Sequence, residues 1–215
     1  QTPHTLGNLR QIPVLAMATP NAPPASPSPA PRPAAPTGQR PPLVDSSRAA
    51  LTPQRVAELQ KQWADYLGVK VELEMGTGAD KMTFVLVPPG KFMMGTDSGD
   101  SDEAPAHEVT ISKPMFVSKY ETTKGQFARF VRETTHESDA EQSGNGSKLI
   151  DPRYTGIAPT TYSWRWPGYE QADSHPVVNV SCDDAIKYCR WLNRATDRPE
   201  FVSSVGLPTE AEWEY

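Results

Sequence analysis

Apolar and polar positions alternate with two different periods along this chain, and the change of period marks its elements. Over 52–67, Val56, Leu59, Trp63 and Leu67 recur at helical spacing. Thr52 stands as the N-cap, Pro53 as the tolerated first residue and Gly68 as the stop, so this spacing predicts an amphipathic helix. From Val69 the period drops to two. VKVELEM, MTFVLV, KFMMG, EVTIS and MFVSKY each read as a strand, with Pro89–Gly90 expected as a type II turn between the second and third. Helical spacing returns after Thr123. There Gln126 completes a T-x-x-Q capping box, and Phe127, Phe130 and Val131 form the buried face.

The stretch His175–Leu192, HPVVNVSCDDAIKYCRWL, carries the sharpest pattern. Val177, Val178 and Val180 suit a short buried strand, opened by Pro176 where no ladder donor is needed. Ser181 then caps a helix, and Asp184 closes an S-x-x-D box. Ala185, Ile186, Cys189 and Leu192 supply the apolar face of that helix. Thr209 and Glu212 open a last helix. Between these elements, 135–174 reads as long and irregular, with Tyr154, Tyr162, Trp164, Trp166 and Tyr169 either lining a ligand groove or pinning the loop.

Composition sets the first 51 residues apart. More than half of the 23 prolines fall there, among Ala, Ser and Thr, with little apolar surface to offset the entropy of ordering. A disordered, semi-rigid polyproline spacer is expected over 1–51, then a lead-in helix and strand over 52–81, then a mixed α+β domain over 82–215. The chain opens on Gln and stops within a helix, so it is expected to be a piece of something longer at both ends.

A net charge of −5 with no basic patch argues against nucleic-acid binding. No run approaches the roughly 18 apolar residues of a membrane span. The spacer composition suits an exported or membrane-tethered, extracytoplasmic protein, but fixes no compartment. Cys182 and Cys189 are the only cysteines, seven residues apart on one helix. That is about 10.5 Å of rise, beyond the about 7 Å a disulfide tolerates. Each is a buried thiol or the partner of a cysteine elsewhere, with a small buried hydrophobe expected for both. The four histidines form no H-x-x-x-H or H-E-x-x-H pattern, and the acidic loop 97–103 lacks EF-hand spacing, so no metal ligands are predicted. The residues by themselves show no catalytic constellation.

Several blocks, in order, resemble the formylglycine-generating enzyme (sulfatase-modifying factor) family. They are FVLVPPGKFMMG at 84–95, DEAPAHEVTISKPMFVSKYETTKGQFARFV at 102–131, SDAEQSGNG at 138–146, YSWRWPGYEQADSHPVVNVS at 162–181 and LPTEAEWEY at 207–215. The resemblance implies a C-type-lectin-like α+β fold. It implies an oxidase in which copper(I), held by two cysteines, converts a sulfatase cysteine to formylglycine. It also places the copper cysteines and the calcium sites beyond LPTEAEWEY, so this fragment is expected to lack them, to hold no cofactor and to be inactive alone. Trp164 and Arg165, within YSWRWPG, match a segment beside the family's substrate groove and are the candidate peptide-binding residues. Glu121, Ser181, Asp184, Glu210 and Glu212 match motif positions expected to act in capping and buried hydrogen bonding. Cys182 stands where the family has tryptophan, and Gly206 where it has arginine. Cys189 matches a cysteine that pairs with one in the second half of secreted members. Partners implied are a cysteine-containing peptide or sulfatase. A second reading is a non-catalytic lectin-like module of a multidomain bacterial protein, binding a glycan or partner protein. An iron-dependent oxidase ranks last, for want of a histidine cluster.

Overall fold

In this computed structural model the described residues are 16–18, 39–47, 51–76, 78, 81–143, 162–195, 199 and 201–215. In chain order they form β1 (Ala16–Ala18), β2 (Val44–Asp45), α1 (Pro53–Leu67), β3 (Glu72–Met75), β4 (Met82–Val87), β5 (Gly90–Met94), β6 (His107–Ile111) and β7 (Met115–Ser118). Then follow α2 (Lys124–Thr134), α3 (Asp139–Gln142), α4 (Cys182–Ala195), β8 (Ser204–Gly206) and α5 (Glu210–Glu214). The fold is mixed α+β. One sheet has the order β3-β4-β7-β1-β8, and a smaller one the order β2-β5-β6.

The helix punctuation follows the sequence closely. Thr52 Oγ1 accepts from Arg55 N, and Gly68 ends α1 in the left-handed region, with φ 67°, where a side chain would be strained. In α2, Thr123 and Gln126 cap each other reciprocally. In β4, Met82, Phe84 and Leu86 point inward on alternate residues, giving the larger sheet its apolar face. That face packs against an aromatic cluster contributed by α2 and α4. Phe127 stacks on Tyr188 with centroids 6.0 Å apart, and Phe130 meets Tyr188 edge-on at 5.7 Å. Such offset and T-shaped pairs suit the ring quadrupoles. Across α1, Trp63 is buried, and its indole donates to the Pro42 carbonyl at 3.0 Å.

Four expectations are corrected. Pro89–Gly90 is not a hairpin turn: β4 and β5 belong to different sheets, and Gly90 does not have the positive φ a type II turn needs. Gly90 is required for space instead, because a Cβ there would stand 2.1 Å from the Tyr215 hydroxyl and 2.5 Å from the Val44 carbonyl oxygen. HPVVNVS forms no strand. It is an extended segment held by a single bridge, Thr123 to Pro176, and by Val177 N donating to Thr122 O. Asn179, at φ 57°, breaks any further ladder, in a conformation Asn tolerates better than most residues. The 135–174 region holds the short helix α3. Cys182 is exposed, while Cys189 is buried.

Two pieces of the expected spacer sit in sheets. Ala16–Ala18 pairs antiparallel with both β7 and β8, and Val44–Asp45 pairs parallel with β5. Most of the remaining spacer, and Tyr154, lie outside the described residues. The outer edge of β8 is closed by a side chain that mimics a strand: Asn193 Oδ1 accepts from Val205 N and Asn193 Nδ2 donates to Val205 O.

The close approach at Gly90 sets a test. Gly90→Ala should lower stability by about 1–3 kcal/mol through overpacking, read as a lower urea midpoint at unchanged slope. An unmoved midpoint would refute the packing argument.

Candidate functional site

The site grows from the first turn of α4. Ser181 Oγ accepts from Asp184 N at 3.0 Å, while Ser181 N donates to Asp184 Oδ2 at 3.0 Å, which completes the capping box. Asp184 is fully buried, so its carboxylate needs further donors. They come from the chain after α2: His136 Nε2 donates at 2.7 Å, and Asp139 N lies 3.3 Å from both carboxylate oxygens. Asp139 in turn accepts from Ser181 Oγ at 2.6 Å. The start of α3 is thereby tied to the start of α4.

Four residues are too few for a helix to persist by itself. α3 is held by Asp184 at one side and by its own capping box, Ser138 with Glu141. The Glu141 carboxylate collects four donors: Ser138 N at 3.0 Å, Ser138 Oγ at 2.8 Å, Trp164 Nε1 at 3.2 Å and Arg165 Nε at 2.6 Å. Burial raises its pKa. The hydrogen bonds from Ser138, Arg165 and Trp164 outweigh that and hold the group below its ordinary 4.5.

Trp164 is 3% exposed and meets Phe127 edge-on at 5.2 Å, so its ring is part of the core. Arg165 lies over that ring at 4.5 Å with 56% of its side chain exposed. The two candidate binding residues therefore differ: Trp164 is the platform and Arg165 is the group that faces outward. Both line a cleft of about 710 Å³, along with Val131, Arg132, His136 and Glu141.

The other motif residues serve elsewhere. Glu212 caps α5 by accepting from Thr209 N at 2.8 Å, and Glu210 is exposed in the same turn. Glu121 is half-buried and makes no hydrogen bond or ion pair among the described residues. Sequence reasoning missed His136, Ser138, Asp139 and Glu141. Only S-x-x-E at 138–141 could have been found locally, by the same rule that found the other caps.

The two cysteines do not fit a shared copper ion. Two thiolates on one ion sit within about 4.6 Å, twice a metal–sulfur bond of about 2.3 Å. Cys182 and Cys189 are two helical turns apart, and burial pushes the Cys189 thiol up to about 12, against the thiolate a metal needs. Among the described residues no group of three or more His, Cys, Asp or Glu is placed to hold a metal.

Residues 72–215 match the family described as "Sulfatase-modifying factor enzyme 1-like domain". This chain belongs to that family. The relatives it resembles include proteins named as enzymes and proteins named inactive. It is 32% identical over 164 residues to "Inactive C-alpha-formylglycine-generating enzyme 2" of Mus musculus, covering 66% of this chain and 49% of that protein. It is 32% identical over 156 residues to "Formylglycine-generating enzyme" of Streptomyces coelicolor, covering 61% of this chain and 45% of that one. The chain thus spans about half the length of the curated relatives it matches. Equal identity to an enzyme and to a relative named inactive leaves catalytic status open to the site alone. A structure of PvdO from Pseudomonas aeruginosa superposes with a TM-score of 0.44 at 26% identity, over 59% of this chain and 45% of that one.

Two variants test this network. Asp184→Ala strands the His136, Asp139 and Ser181 donors and should cost about 3 kcal/mol or more, measured by urea unfolding. Glu141 has a depressed folded pKa, so its contribution is complete above about pH 4.5 and is lost as pH falls through the lower folded value. Glu141→Gln should flatten that acid limb of the stability–pH curve. An unchanged limb would show that the carboxylate's charge is not used.

Proposed function

We propose that these residues form the scaffold and one wall of a peptide-binding groove in a sulfatase-modifying factor domain of C-type-lectin-like fold, with Arg165 as the contact residue. The observation that carries this is the state of the Arg165 guanidinium. Its Nε is fixed by Glu141 and its Cζ lies over the Trp164 ring, 4.5 Å from the centroid. Its two terminal nitrogens carry no hydrogen bond among the described residues, and the residue lines the cleft with 56% of its side chain exposed. A guanidinium held this way offers a rigid donor pair at little entropic cost, and suits the carbonyls of an extended peptide. The peptide implied is a cysteine-containing segment such as the one a sulfatase presents.

Binding, rather than chemistry, is the role assigned to this chain's own residues, since its two cysteines cannot share a copper ion. A non-catalytic binding module is the second reading. It is favoured by Cys182, which stands where the resemblance places a tryptophan.

The test uses protein expressed from the complete open reading frame and a labelled Cys-x-Pro-x-Arg peptide, read by fluorescence anisotropy. Arg165→Ala should weaken binding about tenfold or more, the loss of a charged hydrogen bond of about 1.5–3 kcal/mol. Arg165→Lys should recover only part of it. Equal affinity in wild type and Arg165→Ala would refute the assignment. Peptide binding with conversion of the cysteine to an aldehyde supports the oxidase. Binding without conversion by the folded protein supports the module.

A further inference from the structure

At the other end of α2 lies a second, smaller pocket of about 310 Å³, lined by Lys81, Thr83, Ser118, Tyr120, Glu121, Gln126 and Pro176. Its charges are nearly all accounted for. Lys81 pairs with Glu74, and Lys119, beside the pocket, pairs with Glu72 at 2.7 Å. The Gln126 amide is used on both sides, accepting from Thr123 N and donating to Lys81 O. Ser118 Oγ donates to Tyr120 O. The carboxylate of Glu121 is left over, half-buried and without a donor among the described residues.

The pocket does not suit an anion. The first turn of α2 offers no free N–H: Lys124 N donates to His175 O, Gly125 N to Asp173 O, and Gln126 N to Thr123 Oγ1. Behind Pro176, Gln171 leaves an acceptor unpaired rather than a donor. Gln171 Nε2 donates to Pro176 O, and Gln171 Oε1 is buried with no partner among the described residues. Tyr120, 64% exposed, adds an aromatic ring to the same pocket; the Lys119 ammonium, paired with Glu72, lies 5.9 Å from its centroid, which leaves the opposite face of the ring for a ligand. Carboxylate and ring in one pocket are what a planar cation requires: two parallel N–H···O bonds, and a face to stack on. A volume near 310 Å³ is at the low end for ligand sites and admits one side chain rather than a cofactor.

We propose that the Glu121–Tyr120 pocket is a guanidinium site that receives one arginine side chain, through a bidentate pair to Glu121 and a stacking contact with Tyr120. The arginine is supplied either by a bound peptide or by another part of the protein's own chain. The site is independent of the Arg165 cleft, so either assignment can fail without the other.

The experiment titrates the protein, expressed from its complete open reading frame, with Nα-acetyl-arginine amide and with the matching citrulline compound, which keeps the shape and loses the charge. Backbone amide NMR shifts at 120–123 are followed in wild type and Glu121→Gln, and the urea midpoint of each is measured. An arginine from a peptide predicts saturable shifts with the arginine compound, none with citrulline, and at least tenfold weaker binding in Glu121→Gln at an unchanged midpoint. An arginine from the protein's own chain predicts no binding to wild type and a lower midpoint in Glu121→Gln. The proposal is overturned by arginine and citrulline binding alike, by equal binding to both proteins, or by no binding together with an unchanged midpoint.

Discussion

A carboxylate sealed away from water is the constraint on which the site depends. Asp184 has no solvent exposure, and a buried charge of this kind is tolerated only where donors surround it. Its donors come from three places: the N-cap of its own helix, the imidazole of His136 beyond α2, and the backbone of Asp139 at the start of α3. Satisfying one side chain therefore fixes three chain segments at once. α3, too short to hold itself, passes the constraint on through Glu141, which sets the indole of Trp164 and the guanidinium of Arg165. Arg165 is exposed, yet its orientation traces back through Glu141 and α3 to a buried acid two helices away.

What the sequence revealed and what it hid divide by range. The boxes Thr123–Gln126, Ser181–Asp184 and Thr209–Glu212 were legible because both partners lie three residues apart and need no tertiary contact. The alternation in MTFVLV was legible for a similar reason, since strand period alone sets which residues face inward. The second role of Asp184 was hidden because its other partners stand 45 and 48 residues away. HPVVNVS misled because β-branched residues describe a half-buried extended backbone and say nothing of whether a neighbouring strand exists. Gly90 misled differently. Pro-Gly is a turn signal, but here the glycine answers to Tyr215 and Val44, which no local rule contains. Cys182 shows the same limit: a small hydrophobe is expected inside, but the first residue of a helix faces where the cap points it.

Family membership settles the scaffold and leaves the chemistry open. The motifs that identify the family are largely those that build it: the capping boxes, the aromatic core of α2 and α4, and the α5 helix. Directly after α5, Tyr215 packs on Phe92 at 5.4 Å and its hydroxyl donates to Pro88 O. Discrimination must come from groups the scaffold does not consume, and two stand out here: the terminal nitrogens of Arg165 and the carboxylate of Glu121.

Those two groups sit at opposite ends of α2, an element of 11 residues and so about 16 Å long. Their signs match the helix. Glu121 precedes the N-cap, where the dipole is positive, and Arg165 lines the cleft at the C-terminal end, where it is negative. The helix does not consume Glu121, because the N–H groups of its N-cap and first turn are already bonded to carbonyls and side chains. The Glu121 carboxylate and the two terminal nitrogens of Arg165, without hydrogen bonds among the described residues, keep their lone pairs and N–H groups free to meet a partner. That arrangement differs from the one at Asp184, where the same resource is fully spent on the fold, and the difference separates residues that can recognise a ligand from residues that can only hold the protein together.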